Sequence, residues 1–140
     1  NCPFTKNVIE ESLRLYPPAY FIDRVNIEED EFNGMKIPKN SSLLFSLLEI
    51  HTNHKYWDEP QKFKPERFSK ANAKQFSGHY FPFGAGPRMC IGNNFAMYEM
   101  ILAIAEIIKT YKISEKKKPV QIKPLITLKP KNAILEFNFR

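Results

Sequence analysis

At 140 residues with 43% hydrophobic residues, the chain has the length of one domain and an apolar content that suits a packed core. Its 2 cysteines, Cys2 and Cys90, stand far apart without a C-x-x-C motif or a histidine cluster, which excludes a disulfide scaffold and a zinc site and favours a reducing, intracellular compartment. The net charge of +6 comes from basic residues scattered among acids such as Glu28 to Glu31, which argues against nucleic acid and for a basic face toward an acidic protein partner. Lys116-Lys117-Lys118 beside Pro119 reads as a solvated loop. Asn1 is neither an initiator methionine nor part of a signal pattern, and a helical pattern begins almost at once, so the expectation is a piece of a longer protein. No run approaches the length of a membrane span, which leaves an anchor at a missing N-terminus undetermined: the expected location is the cytoplasm, or the cytosolic face of a membrane.

In chain order, Pro3 to Tyr16 is a predicted helix with proline in its first turn and a stop at Pro17-Pro18. Phe4, Val8 and Leu15 share one face, continued by Ile9, Leu13 and Tyr16. Glu11 and Arg14 fall at its edge, three apart, where periodicity alone favours an exposed ion pair contributing little. Ala19 to Asn26 is rich in strand formers, Asn33-Gly34 signals a turn before Met35-Lys36-Ile37-Pro38, and a second strand lies around Ser42 to Phe45. His51 and His54 have no third ligand near them in sequence and read as structural or solvated histidines. Pro60, Pro65 and the aromatic residues between them suggest an ordered meander. Asn93 to Lys109 is a nearly apolar helix, expected to be buried on most sides and too interrupted by Glu99 and Glu106 to span a membrane. Tyr111–Ile113, Val120–Leu128 and Ala133–Phe139 read as short strands, the last with Leu135, Phe137 and Phe139 alternating against Glu136 and Asn138. The fold class is mainly α with small β-sheets (α+β), without internal repeats.

Chemistry concentrates in Phe81 to Gly92. A free cysteine is usually a small buried hydrophobe, but Cys90 ends a loop rich in glycine and aromatic residues, just before a helix. The partial positive charge of a helix N-terminus, with Arg88 two residues away, favours a thiolate there. Gly84, Gly86 and Gly92 leave room for tight turns and for the close approach of something flat and large. The spacing Phe83-x-x-Gly86-x-Arg88-x-Cys90-x-Gly92 resembles the haem-binding signature of the cytochrome P450 superfamily. Glu11-Ser12-Leu13-Arg14-Leu15-Tyr16-Pro17-Pro18 resembles that family's Glu-x-x-Arg helix, and Phe63-Lys64-Pro65-Glu66-Arg67-Phe68 the segment that supplies a third, partnering arginine. Ile50 to Pro60 resembles its H-x-(D/N)-x-x-x-W-x-x-P segment, with His54 where proline is usual.

The resemblance implies the C-terminal part of the cytochrome P450 fold, incomplete, with residues 1–140 forming the haem-binding portion of a single domain. It implies haem b (iron protoporphyrin IX) held by Cys90 as the iron's axial ligand, with Phe83 shielding the sulfur, Gly84 and Gly92 beside the ring, and Arg88 and Arg24 on the propionates. It implies a buried structural triad of Glu11, Arg14 and Arg67. Ala19, Tyr20, Phe21 and Ile22 would line the substrate pocket, with the hairpin tip Leu125, Ile126 and Thr127 reaching into it. From composition alone, Ala19 to Ile22 suits ordinary core equally, and Arg24 an exposed strand. The implied activity is that of a haem-thiolate monooxygenase, which places one oxygen atom of O2 in a small, apolar organic substrate and takes electrons from an acidic donor (flavodoxin, ferredoxin or a reductase). A haem-thiolate isomerase or peroxygenase, and a non-catalytic haem sensor or electron carrier, are the alternatives. The distal helix that would deliver protons is outside this sequence, so the segment alone is expected not to be a competent monooxygenase.

Overall fold

The computed structural model describes residues 2–76, 78–115 and 120–140; the lysine run before Pro119 lies outside the described residues. Helix α1 (Pro3–Leu15) has proline in its first turn and closes where the Tyr16 N–H donates to the Ser12 carbonyl at 2.8 Å, just ahead of Pro17-Pro18. Its buried residues are Ile9, Glu11, Leu13, Arg14 and Leu15. The predicted apolar stripe is corrected at both ends, since Phe4 is 61% and Tyr16 54% exposed. The reason lies in the partners of α1: it packs against helix α2 (Leu47–Thr52), the 3₁₀ turn Pro65–Phe68 and helix α3 (Asn93–Thr110), and the first two bring carbonyl-rich chain against its polar edge. Ser46 caps α2, its hydroxyl accepting from the Glu49 N–H at 3.2 Å.

The strands form two nested pairs of antiparallel ribbons. Strand β1 (Phe21–Val25) pairs with β4 (Ser42–Ser46), from Phe21 opposite Ser46 to Val25 opposite Ser42. Between them in sequence, β2 (Asp30–Phe32) and β3 (Met35–Ile37) form a separate hairpin. Its two-residue turn puts Asn33 at φ 51° and Gly34 at φ 79°, the left-handed conformations that suit Asn-Gly to a tight hairpin. Likewise β5 (Tyr111–Glu115) pairs with β8 (Leu135–Phe139), and the hairpin of β6 (Ile122–Pro124) and β7 (Leu128–Pro130) lies between them in sequence. The run predicted as one strand over Val120–Leu128 is thus a strand and a turn.

The core centres on Trp57, which is 1% exposed. Its indole stacks on Phe76 at 4.5 Å between centroids, meets Phe68 and Tyr80, and donates from Nε1 to the Ile50 carbonyl at 3.0 Å. Helix α3, expected to be buried on most sides, has no fully buried residue, and Phe95 is 72% exposed. An all-round apolar helix asks for cover, but α1 supplies it along one side only. No helix among the described residues is long and apolar enough to cross a membrane.

Trp57→Ala is expected to lower unfolding free energy by about 3–5 kcal/mol, because it opens a cavity and removes the stacked pair. Urea titration of the complete protein checks this; a loss under about 1 kcal/mol would contradict the central place of the indole.

Candidate functional site

The cysteine loop is shaped by its own backbone. The Gly84 N–H donates to the Phe81 carbonyl at 3.0 Å, with Gly84 at φ 76°. Gly86, at φ 70°, opens a short 3₁₀ turn that the Met89 N–H closes on the Gly86 carbonyl at 3.0 Å. The Cys90 N–H then donates to the Phe83 carbonyl at 2.9 Å, so the chain folds back on itself before α3 starts at Asn93. A side chain at Gly92 would begin 3.9 Å from the Cys90 sulfur, in direct contact with it.

Cys90 is exposed and stands on the wall of a mostly apolar cleft of about 380 Å³. Phe83, Gly84 and Arg88 of the loop, Ala96 and Met100 of α3, and Leu13 of α1 line it with Pro18, Ala19, Ile22 and Arg24. Of the residues expected near a substrate, Ala19 and Ile22 reach this wall; Tyr20, Phe21, Leu125, Ile126 and Thr127 are not among its lining residues. The hairpin tip is nevertheless tied to the same strand entry: the Tyr20 hydroxyl donates to the Leu125 carbonyl at 2.7 Å and the Leu128 N–H to the Pro18 carbonyl at 3.0 Å. Ile126, at the tip, is 98% exposed. Arg24 and Arg88 put two cations on the cleft wall, Arg24 also donating to the Asp23 carbonyl at 2.6 Å.

The donor set suits a metal that brings its other ligands with it. No group of three His, Cys, Asp or Glu able to hold a metal ion occurs among the described residues, so Cys90 can offer one soft ligand and the cleft one apolar bed. A flat macrocycle with carboxylate arms fits that bed, the two arginines and the glycines that admit close approach.

Behind the cleft, Glu11, Arg14 and Arg67 meet in one buried cluster. Glu11 and Arg14 have no exposed surface, where periodicity alone had suggested an exposed pair. Arg14 Nε donates to Glu11 Oε2 at 2.7 Å and Nη2 to Oε1 at 2.8 Å, a two-pronged fork. Glu11 Oε1 also accepts from the Lys64 N–H at 2.8 Å and from Arg67 Nε at 3.4 Å. Both guanidinium groups also donate to carbonyls: Arg14 to His51 at 2.7 Å and Lys62 at 3.3 Å, Arg67 to Glu59 at 2.8 Å. Arg14 also lies over the Trp57 ring, 5.0 Å from its centroid.

His51 and His54 part company. His54 is exposed, whereas His51 is completely buried and its Nε2 accepts the Phe81 N–H at 2.9 Å. Burial, outweighing a hydrogen bond to the Arg14 backbone and assisted by the Arg14 charge, holds its pKa down at about 4, so the ring is neutral. Burial, reinforced by Glu10 and Glu11, likewise keeps the neighbouring Tyr80 phenol protonated well above the usual range, and its hydroxyl donates to the Glu10 carbonyl at 2.9 Å. Neither the His51 bond nor the Arg14–Trp57 contact follows from sequence spacing. The signal that was available is the histidine lying six residues before the chain's single tryptophan.

The fold matches that of a solved haem domain over nearly all of this chain. The structure superposes on the haem domain of cytochrome P450DA with a TM-score of 0.90 at 24% identity, covering 97% of this chain and 31% of that one. The family model described as Cytochrome P450 matches residues 1–137, and the chain belongs to the cytochrome P450 family, whose members are generally haem-thiolate monooxygenases. It is 49% identical over 108 residues to cytochrome P450 3A40 of Oryzias latipes, covering 76% of this chain and 22% of that protein. To the lithocholate 6-beta-hydroxylase of Mesocricetus auratus it is 37% identical over 132 residues, or 91% and 26% of the two chains. The chain therefore spans about a quarter of the length of these curated relatives.

Glu11→Gln leaves two buried guanidinium groups without their carboxylate and is expected to cost about 3–5 kcal/mol of stability, read from urea midpoints. The neutral His51 sets a pH dependence. Above pH 6.5 it contributes no penalty, and as pH falls from 6.5 toward about 4 the unfolded chain takes up a proton that the folded chain refuses. The loss approaches roughly 3 kcal/mol as an upper bound. Comparing the acid dependence of wild type with that of His51→Gln isolates this component, and parallel curves would contradict it.

Proposed function

We propose that this chain is the C-terminal, haem-binding portion of a single-domain haem-thiolate monooxygenase, with Cys90 as the axial ligand of the iron of haem b. The observation that carries the reading is Cys90 exposed on the wall of an apolar cleft that also holds Arg24 and Arg88. In this reading Arg24 and Arg88 bind the propionates, since a guanidinium pairs well with a carboxylate at a ligand's edge. Phe83, Gly84 and Gly92 shape the space around the sulfur, and the Cys90 N–H bond to the Phe83 carbonyl orients its backbone. The lining beside the sulfur is mostly apolar, and the buried Glu11–Arg14–Arg67 cluster reaches the loop through His51. When bound, a haem with a thiolate ligand supplies the O2 chemistry, leaving one oxygen atom in the substrate and the other in water.

Substrate is met by Ala19 and Ile22, with Tyr20 holding the Leu125–Thr127 tip nearby. Such a wall suits a small, apolar organic molecule, and the relative named as a lithocholate 6-beta-hydroxylase supports an organic substrate that is hydroxylated. Electrons come from an acidic donor protein, met by a chain of net charge +6. The reading puts the protein inside the cell, in the cytoplasm or on the cytosolic face of a membrane.

In the complete protein, Cys90→Ala is expected to abolish the thiolate signature of the reduced, carbon-monoxide-bound spectrum, and an unchanged spectrum would refute Cys90 as ligand. Arg88→Ala is expected to weaken haem retention by about 1.5–3 kcal/mol, the worth of one charged hydrogen bond, measured by transfer to an apo acceptor. Residues 1–140 alone are expected to show no monooxygenase turnover; normal turnover would overturn the incomplete-domain reading.

A further inference from the structure

The buried ion cluster and the cysteine loop meet at one residue. Arg14 donates to the His51 carbonyl at 2.7 Å, and the same residue's ring accepts the Phe81 N–H at 2.9 Å. From Phe81 the bonds continue into the loop, its carbonyl taking the Gly84 N–H at 3.0 Å and Phe83 taking the Cys90 N–H at 2.9 Å. A continuous path of hydrogen bonds, passing through the backbone and ring of His51, therefore leads from the guanidinium of Arg14 to the backbone of Cys90.

Only a neutral imidazole can hold that path together. Because Nε2 accepts, the ring proton sits on Nδ1, which is buried and faces the Arg14 backbone without closing a well-formed hydrogen bond. The groups facing the ring are Arg14 on α1, with Glu11 behind it and already engaged, and His79 and Tyr80 on the approach to the loop, Tyr80 with its ring 5.4 Å away. Burial outweighs the Arg14 backbone, whose hydrogen bond favours a second proton on His51, and the Arg14 guanidinium and His79 add to the opposition. The site is built to keep Nε2 free as an acceptor.

We propose that His51 is a positioning residue for the cysteine loop: its Nε2 holds the Phe81 N–H and so couples the packing of the Glu11–Arg14–Arg67 cluster to the placement of Cys90. The inference rests on the proposed haem-ligand role of Cys90 for its functional meaning, though the coupling itself lies in the protein. Protonation of His51, or loss of its acceptor, frees the first peptide of the loop while leaving the Arg14 bond to the His51 carbonyl in place.

The test uses the complete protein with His51→Leu, His51→Gln and His51→Asn. Glutamine puts an amide oxygen where Nε2 stands, asparagine keeps polarity but is too short, and leucine removes the acceptor. Amide hydrogen exchange across residues 81–90 is expected to rise about tenfold in the Leu and Asn variants and to stay within about twofold of wild type in the Gln variant. The reduced carbon-monoxide spectrum is expected to lose part of its thiolate form in the same two variants and to keep it in Gln. Equal exchange in wild type and Asn, or equal increases in Asn and Gln, would overturn the proposal; if the Leu variant does not fold, the Asn and Gln pair decides. A wild-type protein without a thiolate spectrum would refute the haem-ligand reading instead, and the exchange comparison would still decide the coupling.

Discussion

Glu11 and Arg14 form an ion pair with no exposed surface, and the fold is arranged so that this pair is tolerable. Burying two charges costs several kcal/mol for each ion unless every polar atom finds a partner. Here the carboxylate collects bonds from Arg14, Arg67 and the Lys64 backbone, while the two arginines also donate to carbonyls of His51, Glu59 and Lys62. Those carbonyls come from the end of α2 and from the irregular chain that follows. A stretch without a helix or sheet to satisfy its own backbone is ordered because guanidinium groups do so instead.

The consequence reaches the cleft through packing. With the meander docked on α1, Trp57 is enclosed by Phe68, Phe76 and Tyr80 and covered by the Arg14 guanidinium. The same docking places His51 under Phe81, so the cysteine loop starts from a fixed point. From there its course follows from local bonds and from two glycines at positive φ, which is why a loop with few buried side chains can still present a sulfur to a defined space. Stability and chemistry are thus divided between two sides of one loop: charged and aromatic groups beneath, and an apolar surface with a soft donor above.

The outer faces tell a different story. Phe95, Tyr98 and Leu102 along α3, and Phe137 and Phe139 on β8, are large apolar side chains left exposed. Apolar area on this scale is costly in water and marks surfaces meant to be covered. The chain spans about a quarter of its curated relatives, and in the reading proposed here the rest of the domain covers them.

What could be read in the sequence was local. The start of α1 at a proline, the Asn33-Gly34 hairpin turn, the glycine-bounded cysteine loop and the beginning of α3 depend on the conformational limits of a few neighbouring residues, so their spelling is sufficient. The motif words also joined Glu11, Arg14 and Arg67, though helical periodicity by itself put the first two at an exposed edge. What only the tertiary structure decided was environment: that Phe4 and Tyr16 face outward, that α3 is covered along one side, that Arg14 sits over Trp57, and that His51, rather than His54, is buried against the loop. Periodicity reports which residues share a face, but the dielectric and the hydrogen-bond partners that face meets come from segments tens of residues away. A buried histidine and a solvated one are therefore written with the same letter.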